Sequence, residues 1–523
     1  MAQSLKTDQT MSKHNFFQHL RQNFPKTMDA PAVWAGELTY TWRDLDDATA
    51  MLANFLDSLG VEKGSRIAVQ VDKSVEAMIL YLATLRAGYV FLPLNTAYQS
   101  SEIEYFIDNA QPAVVVCSPQ NFGWVSKIAF KAGVQSVLTL GDQRNGTLLD
   151  RAAHHSRVHT PAEVSPDDLA VIIYTSGTTG RSKGAMLSHG NIASNAETLK
   201  AYWGWTKGDV LIHALPIFHV HGLFVAIHGA LSNGSAMIWM DKFDPKQAIA
   251  QMQRGTVFMG VPTLYVRMLN ESSLTPESTA HMRLFVSGSA PLLQETFDLW
   301  RERTGHTILE RYGMSETVML TSNPYAEDAR FGGQKERRGG TVGFPLPGVT
   351  LRVVDDANQP VPTNDIGAIQ VKGPNVFLGY WQMPEKTAEE FTADGFFKTG
   401  DVGKIDSDGY VTIVGRNKDL IISGGYNVYP AEVESYLNNL PGIAESAVVG
   451  VQHPDFGEVG VAVLVPRPGA QLDPTAVLQA MKAQLANYKV PKHCAVVEEL
   501  PRNTMGKVQK NVLRDTYAGL FKG

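Results

Sequence analysis

The chain has 523 residues, 44% of them apolar and 19% charged, with a formal net charge of -6 at pH 7. That length exceeds one hydrophobic core and asks for two or more domains, and the charge supplies no positive field that would gather nucleic acid or acidic lipid. Two cysteines, Cys117 and Cys494, stand far apart, which excludes a disulfide framework and a cysteine zinc site and fits a reducing, cytoplasmic setting.

Residues 1–12 read as a flexible tail without the apolar segment of a secretory signal, and Met11 is an alternative start. The most apolar stretch, 74–94, is broken by Glu76 and Arg86, so no run reaches the roughly 18 residues of a membrane span. Then "RIAVQV" (66–71), "AVVVCS" (113–118), "LAVIIYT" (169–175), "VLIHALP" (210–216), "SAMIWM" (235–240), "TVFMGVP" (256–262) and "LFVSGS" (284–289) read as strands. The segments "SVEAMILYLATLRAG" and "NIASNAETLKAYWGW" carry helical spacing. This alternation predicts an α/β fold with largely parallel sheets and ligands at the carboxyl ends of strands.

"FGGQKERRGG" (331–340) reads as a solvated, mobile loop. After about 340, "GVTLRVVD", "GAIQVKGP", "YVTIVGR" and "LIISGG" read as short strands of a β-rich lobe. From about 418 the text turns β-α-β, a small α+β domain. The expected division is 1–12, 13–417 and 418–523.

The loop "YTSGTTGRSKGAMLSHGN" (174–191) follows a buried strand. Gly177, Gly180 and Gly184 let the backbone turn and approach a ligand closely. Thr175, Ser176, Thr178 and Thr179 add hydroxyls, and loop amides can form an anion nest. With the charge of Lys183, the loop suits a polyphosphate. It is neither a Walker A motif nor a GxGxxG. In "RYGMSET" (311–317), Tyr312 and Gly313 suit stacking on a base, Ser315 a phosphate oxygen, and Glu316 a hydrated Mg²⁺. Asp401 of "TGD" suits both ribose hydroxyls, and Lys507 of "PRNTMGKVQK" sits in a polar loop.

Together these segments resemble the acyl-adenylate-forming superfamily of acyl-CoA synthetases, luciferases and nonribosomal adenylation domains, from about residue 15 to 518. The phosphate loop, "RYGMSET", "TGD", "GRNKDLI", "SGGYNVYP" and "PRNTMGK" occur in family order. The resemblance implies ATP, Mg²⁺ and coenzyme A as cofactor and substrates. It places the loop from Thr175 through Gly184 on the ATP phosphates, with Glu316 and Thr175 at the metal. Gly288, Ser289, Ala290 and the segment Arg311–Tyr312–Gly313 flank adenine, Ser315 meets the α-phosphate, and Asp401 and Arg416 hold ribose. Lys507 bridges acid and α-phosphate, Lys418 is the hinge of a mobile C-terminal domain, and Gly424 and Gly425 line the channel for CoA. Lys183, Glu316 and Lys507 form the implied catalytic set.

Within the superfamily, "HALPIFHVHGLF", "HMRLFVSGSAPLL" and "LPRNTMGKVQKN" look like malonyl-CoA synthetases. That similarity implies Arg283 as the anchor for the distal carboxylate of malonate, with His219, Ser287 and Met259 around the acid. The alternative for Arg283 is a solvent-facing start to its strand. "FHVH" alternates, so His219 and His221 are expected on one side of a strand-like segment; with no third ligand they make no metal site. Other readings are methylmalonate used beside malonate, a synthetase for a medium-chain or aryl acid, and an adenylation enzyme loading a carrier protein. The last of these is the less expected, because no carrier-protein segment is read between Lys507 and Gly523. A nucleotide-binding relative without activity is opposed by the presence of Lys183, Glu316, Asp401 and Lys507. Small molecules are the expected partners: no nucleic acid, no membrane, no obligate protein.

Overall fold

The computed structural model describes residues 14–175, 182–333, 335–424, 426–503 and 506–521. The tail 1–12 and the predicted site residues Ser176, Gly177, Thr178, Thr179, Gly180 and Gly425 lie outside the described residues.

Among the described residues, two large sheets carry the first 345 positions. One has nine strands, with a parallel centre from Val33 through Ala236–Trp239, Val210–His213, Val257–Gly260 and Leu284–Ser287 to Leu309–Tyr312. The other has seven strands, parallel from Leu169–Thr175 to Ser136–Thr139, with Lys183–Ser188 and Gly379–Tyr380 added antiparallel at one edge. Parallel strands buried on both faces are continuous apolar runs, which is how these segments read. The helix Val75–Arg86 packs between neighbours on every side, started by Ser74, whose side chain accepts the Ala77 amide. Its two charges explain why so apolar a helix belongs inside a globular fold. Glu76 accepts from Tyr40 Oη at 2.6 Å and Arg144 Nε at 2.9 Å, and Arg86 pairs with Asp46 at 2.8 Å. No helix among the described residues is long and apolar enough to cross a membrane.

The β-rich lobe is a four-stranded antiparallel sheet, Thr350–Val354, Gly367–Lys372, Phe397–Ile405 and Val411–Arg416. The strand in "LIISGG" does not join it. Ile421–Ser423 pairs with Tyr426–Val428 and Gly457–Pro466 in a separate C-terminal sheet, which packs its own apolar cluster under the helices Pro430–Asn438 and Pro474–Gln484. Arg467 of this small domain reaches Glu295 on the helix Gln294–Thr304 at 2.6 Å. Residues 335–340 form a loop with Lys335 and Glu336 exposed, as expected, but its two arginines are not free. Arg337 donates to the Pro324 and Thr307 carbonyls and Arg338 pairs with Asp408 at 2.8 Å. Nor is "FHVH" strand-like: the chain turns after Pro216 and His221–Ile227 is helical and buried. A continuous apolar run does not distinguish strand from buried helix by its period.

Candidate active site

The site gathers where strands of both sheets end. Thr175 and Lys183 are paired residues of adjacent antiparallel strands, with Thr175 Oγ1 donating to the Lys183 carbonyl at 3.4 Å. The two ends of the phosphate loop are thereby side by side. Lys183 Nζ lies 3.5 Å from Glu390 and 4.2 Å from the ring centre of Tyr380. The Tyr380 hydroxyl donates to Glu316 Oε1 at 2.9 Å. Burial pushes the Glu316 carboxyl up, and the Tyr380 hydrogen bond, its own backbone and the Lys183 and Arg416 charges pull it down.

Tyr312 closes the strand Leu309–Tyr312, and its hydroxyl donates to Asp401. Arg416, opposite Asp401 in the antiparallel register, reaches it at 3.2 Å. Gly313 is required by space, because a Cβ there would stand 1.9 Å from the Val318 carbonyl oxygen. Ser315 sits half-buried in the turn that follows.

Lys507 comes from the C-terminal domain. Its amide donates to Asn503 Oδ1 at 3.0 Å. Burial lowers its ammonium to about 8, Arg416 and Arg311 push the same way, and Asp401 and Glu316 oppose them. These neighbours put the lysine among the residues of the large domain. Lys418 lies half-buried in the 3₁₀ turn Asn417–Asp419, between the strand Val411–Arg416 of the β-rich lobe and Ile421–Ser423 of the C-terminal sheet. Gly424 turns the hairpin after Ile421–Ser423, its amide on the Phe456 carbonyl at 2.8 Å, and it lines neither of the cavities described below.

Beside Lys507 lies a cavity of about 240 Å³, lined by His219, His221, Val261, Thr263, Ser289 and Gly506 among others. Burial drives His219 down to about 3, helped by Lys507 and Arg311, and His221 well below its ordinary range, so both rings are neutral. Ser289 holds a left-handed backbone, φ 72°, and its Oγ lies 3.3 Å from His221 Nδ1. Gly288 gives room to Arg311: a Cβ there would fall 2.4 Å from the guanidinium carbon. Arg311 is 3% exposed. Its Nε and Nη2 have no partner, and burial lowers it to about 9. Ala290 continues this loop, partly exposed.

Three acid-pocket expectations need correction. Arg283 stands at the amino end of Leu284–Ser287, opposite the end where ligands gather. Both arms of its fork are taken by Asp209, at 2.6 and 2.7 Å, and Nη1 donates to the Trp203 carbonyl. It is a structural ion pair. Met259 lies inside its strand and 1% exposed in the core; the same segment meets the cavity further on, through Val261, Thr263 and Leu264. Ser287 is fully buried within its strand, and Ser289 reaches the cavity in its place. Arg283→Ala is therefore expected to destabilise the protein by about 2–3 kcal/mol, below the usual figure for a fully buried pair. Arg283 is one-fifth exposed, and Thr206 and Thr256 still bond Asp209. Thermal melting measures the loss, and the ratio of rates between acids should not move.

Sequence reasoning missed Tyr380 and Glu390; "LGYWQ" gives no chemical signal by itself.

Residues 20–381 match the AMP-binding enzyme family and 432–507 the AMP-binding enzyme C-terminal domain. The chain belongs to this family and is an acyl-adenylate-forming enzyme. It is similar to the ATP-bound MatB structure from Rhodopseudomonas palustris, at 52% identity over 97% of this chain and 100% of that one, with a TM-score of 0.94. The apo structure of the same relative matches at 0.83. A malonate–CoA ligase of Arabidopsis thaliana is 34% identical over 491 residues, 88% of this chain and 79% of that one. A feruloyl-CoA synthase of an Amycolatopsis species is 34% identical over 493 residues, 93% and 96%.

Proposed function

We propose that this chain joins malonate to coenzyme A, with ATP cleaved to AMP and pyrophosphate through a malonyl-adenylate. The observation that carries the acid is Arg311. The Arg311 guanidinium is buried with two unpartnered N–H groups. It lies behind the cavity wall, close enough for its charge to act on His219 and His221, which line the cavity. A second carboxylate on the substrate that displaces this wall would give it the bidentate partner arginine favours. His219 and His221, held neutral, add no competing charge. A fatty or aryl acid offers Arg311 nothing. The malonate–CoA ligases among the relatives agree with this reading, and the feruloyl-CoA synthase at equal identity shows why the site, rather than overall likeness, must decide it.

The residues divide the work by charge. An anionic carboxylate must attack an anionic α-phosphate, so fixed cations carry the first step. Lys183 and the loop beginning at Thr175 face the β- and γ-phosphates, Ser315 and Lys507 the α-phosphate, and Asp401 with Arg416 the ribose beside Tyr312. Glu316 fits Mg²⁺. That ion takes one or two carboxylates plus substrate phosphates, and among the described residues no cluster of three His, Cys, Asp or Glu makes a cage for a resident metal. The magnesium supplied with ATP neutralises phosphate charge. In the second step the thiol needs the space Lys507 fills. Rotation of the small domain about Lys418 withdraws the lysine and turns Gly424 toward the site, and the better match to the ATP-bound relative supports the present pose as the adenylating one. A second cavity of about 620 Å³ shares Ala214, Pro216 and Phe243 with the acid pocket and offers the thiol arm a route. The two buried cysteines, without partners, support a cytoplasmic setting.

The test is pyrophosphate release across malonate, methylmalonate, butyrate, octanoate and ferulate, with and without CoA. Malonate is expected to lead, with AMP and malonyl-CoA formed in equal amounts. A flat profile, or a lead for ferulate or octanoate, overturns the substrate while leaving the adenylation chemistry standing.

A further inference from the structure

The segment 374–381, "PNVFLGYW", ties two halves of the site together. On one side, Asn375 Nδ2 donates to the Thr317 and Met319 carbonyls at 2.7 and 2.9 Å, and the Phe377 amide to the Glu316 carbonyl at 2.8 Å. On the other, the Leu378 amide donates to the Met186 carbonyl at 2.9 Å and the Trp381 amide to the Gly184 carbonyl at 2.8 Å, within the strand that begins at Lys183. Asn191 holds the segment from behind through the Pro374 and Val376 carbonyls.

The Tyr380 side chain repeats this bridge at the level of function. Its hydroxyl grips Glu316 Oε1 while its ring lies 4.2 Å from Lys183 Nζ. The ring is 4% exposed and packed edge-on against Phe377. Its backbone is pinned as well, the Tyr380 amide donating to Thr387 Oγ1 at 2.9 Å. A Cβ on Gly379 would stand 2.5 Å from Thr387 Cγ2, so the helix Pro384–Glu390 closes on the turn before it. The same helix supplies Glu390, the carboxylate 3.5 Å from Lys183.

We propose that Tyr380 is a positioning residue for adenylation, holding the carboxylate that receives the metal and the ammonium that receives the phosphates in fixed relation to each other. The inference rests on the reading of Glu316 as the metal carboxylate and Lys183 as the phosphate lysine. One oxygen of Glu316 held by a rigid phenol fixes the direction of the other. A lysine is a flexible point charge; an aromatic face beneath it restricts its head group by a cation–π contact. Phosphate oxygens then exchange with Glu390 as partners of Lys183 while the ring stays in place. Preorganised charge of this kind acts without reorganising during the reaction.

The two contacts are separable. Tyr380→Phe keeps the ring and removes the hydroxyl. Mn²⁺ binding to the enzyme–ATP complex, read from the electron paramagnetic resonance of free Mn²⁺, is expected to weaken by about 10–100-fold, the range for a lost hydrogen bond to a charged group. ATP affinity without metal should stay within about twofold of wild type, since the cation–π contact is intact. Tyr380→Leu removes the ring as well, and metal-free ATP affinity should fall about 2–30-fold. Glu316→Gln is measured alongside. If Glu316→Gln loses Mn²⁺ affinity and Tyr380→Phe does not, Tyr380 does not position the carboxylate and the proposal fails alone. If Glu316→Gln also keeps Mn²⁺ affinity, the metal reading of Glu316 fails and takes the proposal with it. Should Tyr380→Leu not fold, the Tyr380→Phe measurement decides by itself.

Discussion

Lys507→Ala loses malonate adenylation by about 10²–10³ in rate or more, the range for removing a preorganised group that meets developing charge, and leaves thioester formation from preformed malonyl-AMP and CoA near wild type. The asymmetry follows from placement. Lys507 stands among Arg416, Asp401, Arg311 and Glu316, where the first step accumulates negative charge and where the second step needs an open approach for the thiol. Pyrophosphate release measures one half, and CoA-dependent consumption of malonyl-AMP the other. Equal losses in both halves would remove Lys507 from this role.

The same lysine sets a pH limit. Burial lowers its ammonium to about 8, so the charged fraction falls as pH rises through 8. For the adenylation half-reaction, kcat/KM for ATP reports the free enzyme and should decline across that window, while thioester formation need not. The effect on the pose has the opposite sign. Between about 8 and the ordinary lysine range the withdrawn lysine binds more protons than the inserted one, so rising pH favours insertion. The inserted group is then a neutral amine. A decline in adenylation despite easier insertion isolates the charge as the working feature, and Lys507→Ala should flatten the profile.

How much of this was legible in sequence depended on whether a residue's surroundings were local. The strands at 66–71, 113–118 and 169–175 were readable because parallel strands buried on both faces are apolar throughout. The strand Leu309–Tyr312 carries Glu310 and Arg311 inside it and does not read as core. Glu310 is buried there with its carboxyl pushed up to about 8 by desolvation, one oxygen accepting the Leu292 amide. Only the fold explains such a pair. "RYGMSET" and "TGD" pointed to Tyr312 and Asp401, which the structure brings into hydrogen-bond contact, because each stands at a position its own turn defines. Of the cavity wall, His219 was legible, but the wall as a whole was not, because Thr263, Ser289 and Gly506 reach it from separate segments. Arg283 and Arg311 look equivalent in a string of letters. The rule that ligands gather at carboxyl ends of parallel strands already separates them, since Arg283 precedes its strand and Arg311 stands near the end of one.

Arg311 therefore carries the second large effect. Arg311→Ala is expected to lower kcat/KM for malonate by about 10²–10³, from about 3–5 kcal/mol for breaking a buried charge pair at 1.4 kcal/mol per decade. Butyrate, of similar length without the second carboxylate, should be unchanged or improved, because no cation is left for it to bury unpaired. Arg311→Lys should recover part of the malonate rate, since an ammonium cannot make the planar two-bond contact. Stability supplies an independent signature. In the free protein Arg311 is 3% exposed with unpartnered Nε and Nη2, so burial of its charge outweighs the help of Tyr265 and Glu310. Arg311→Met, which fills similar space, should keep or raise the melting temperature while malonate activity is lost. Arg283→Ala should show the reverse, a lower melting temperature with acid preference intact. A uniform fall across acids with a raised KM for ATP would assign Arg311 to the nucleotide instead. A fall in melting temperature without a change in preference would make it a structural residue, and the malonate reading would lose the observation it rests on.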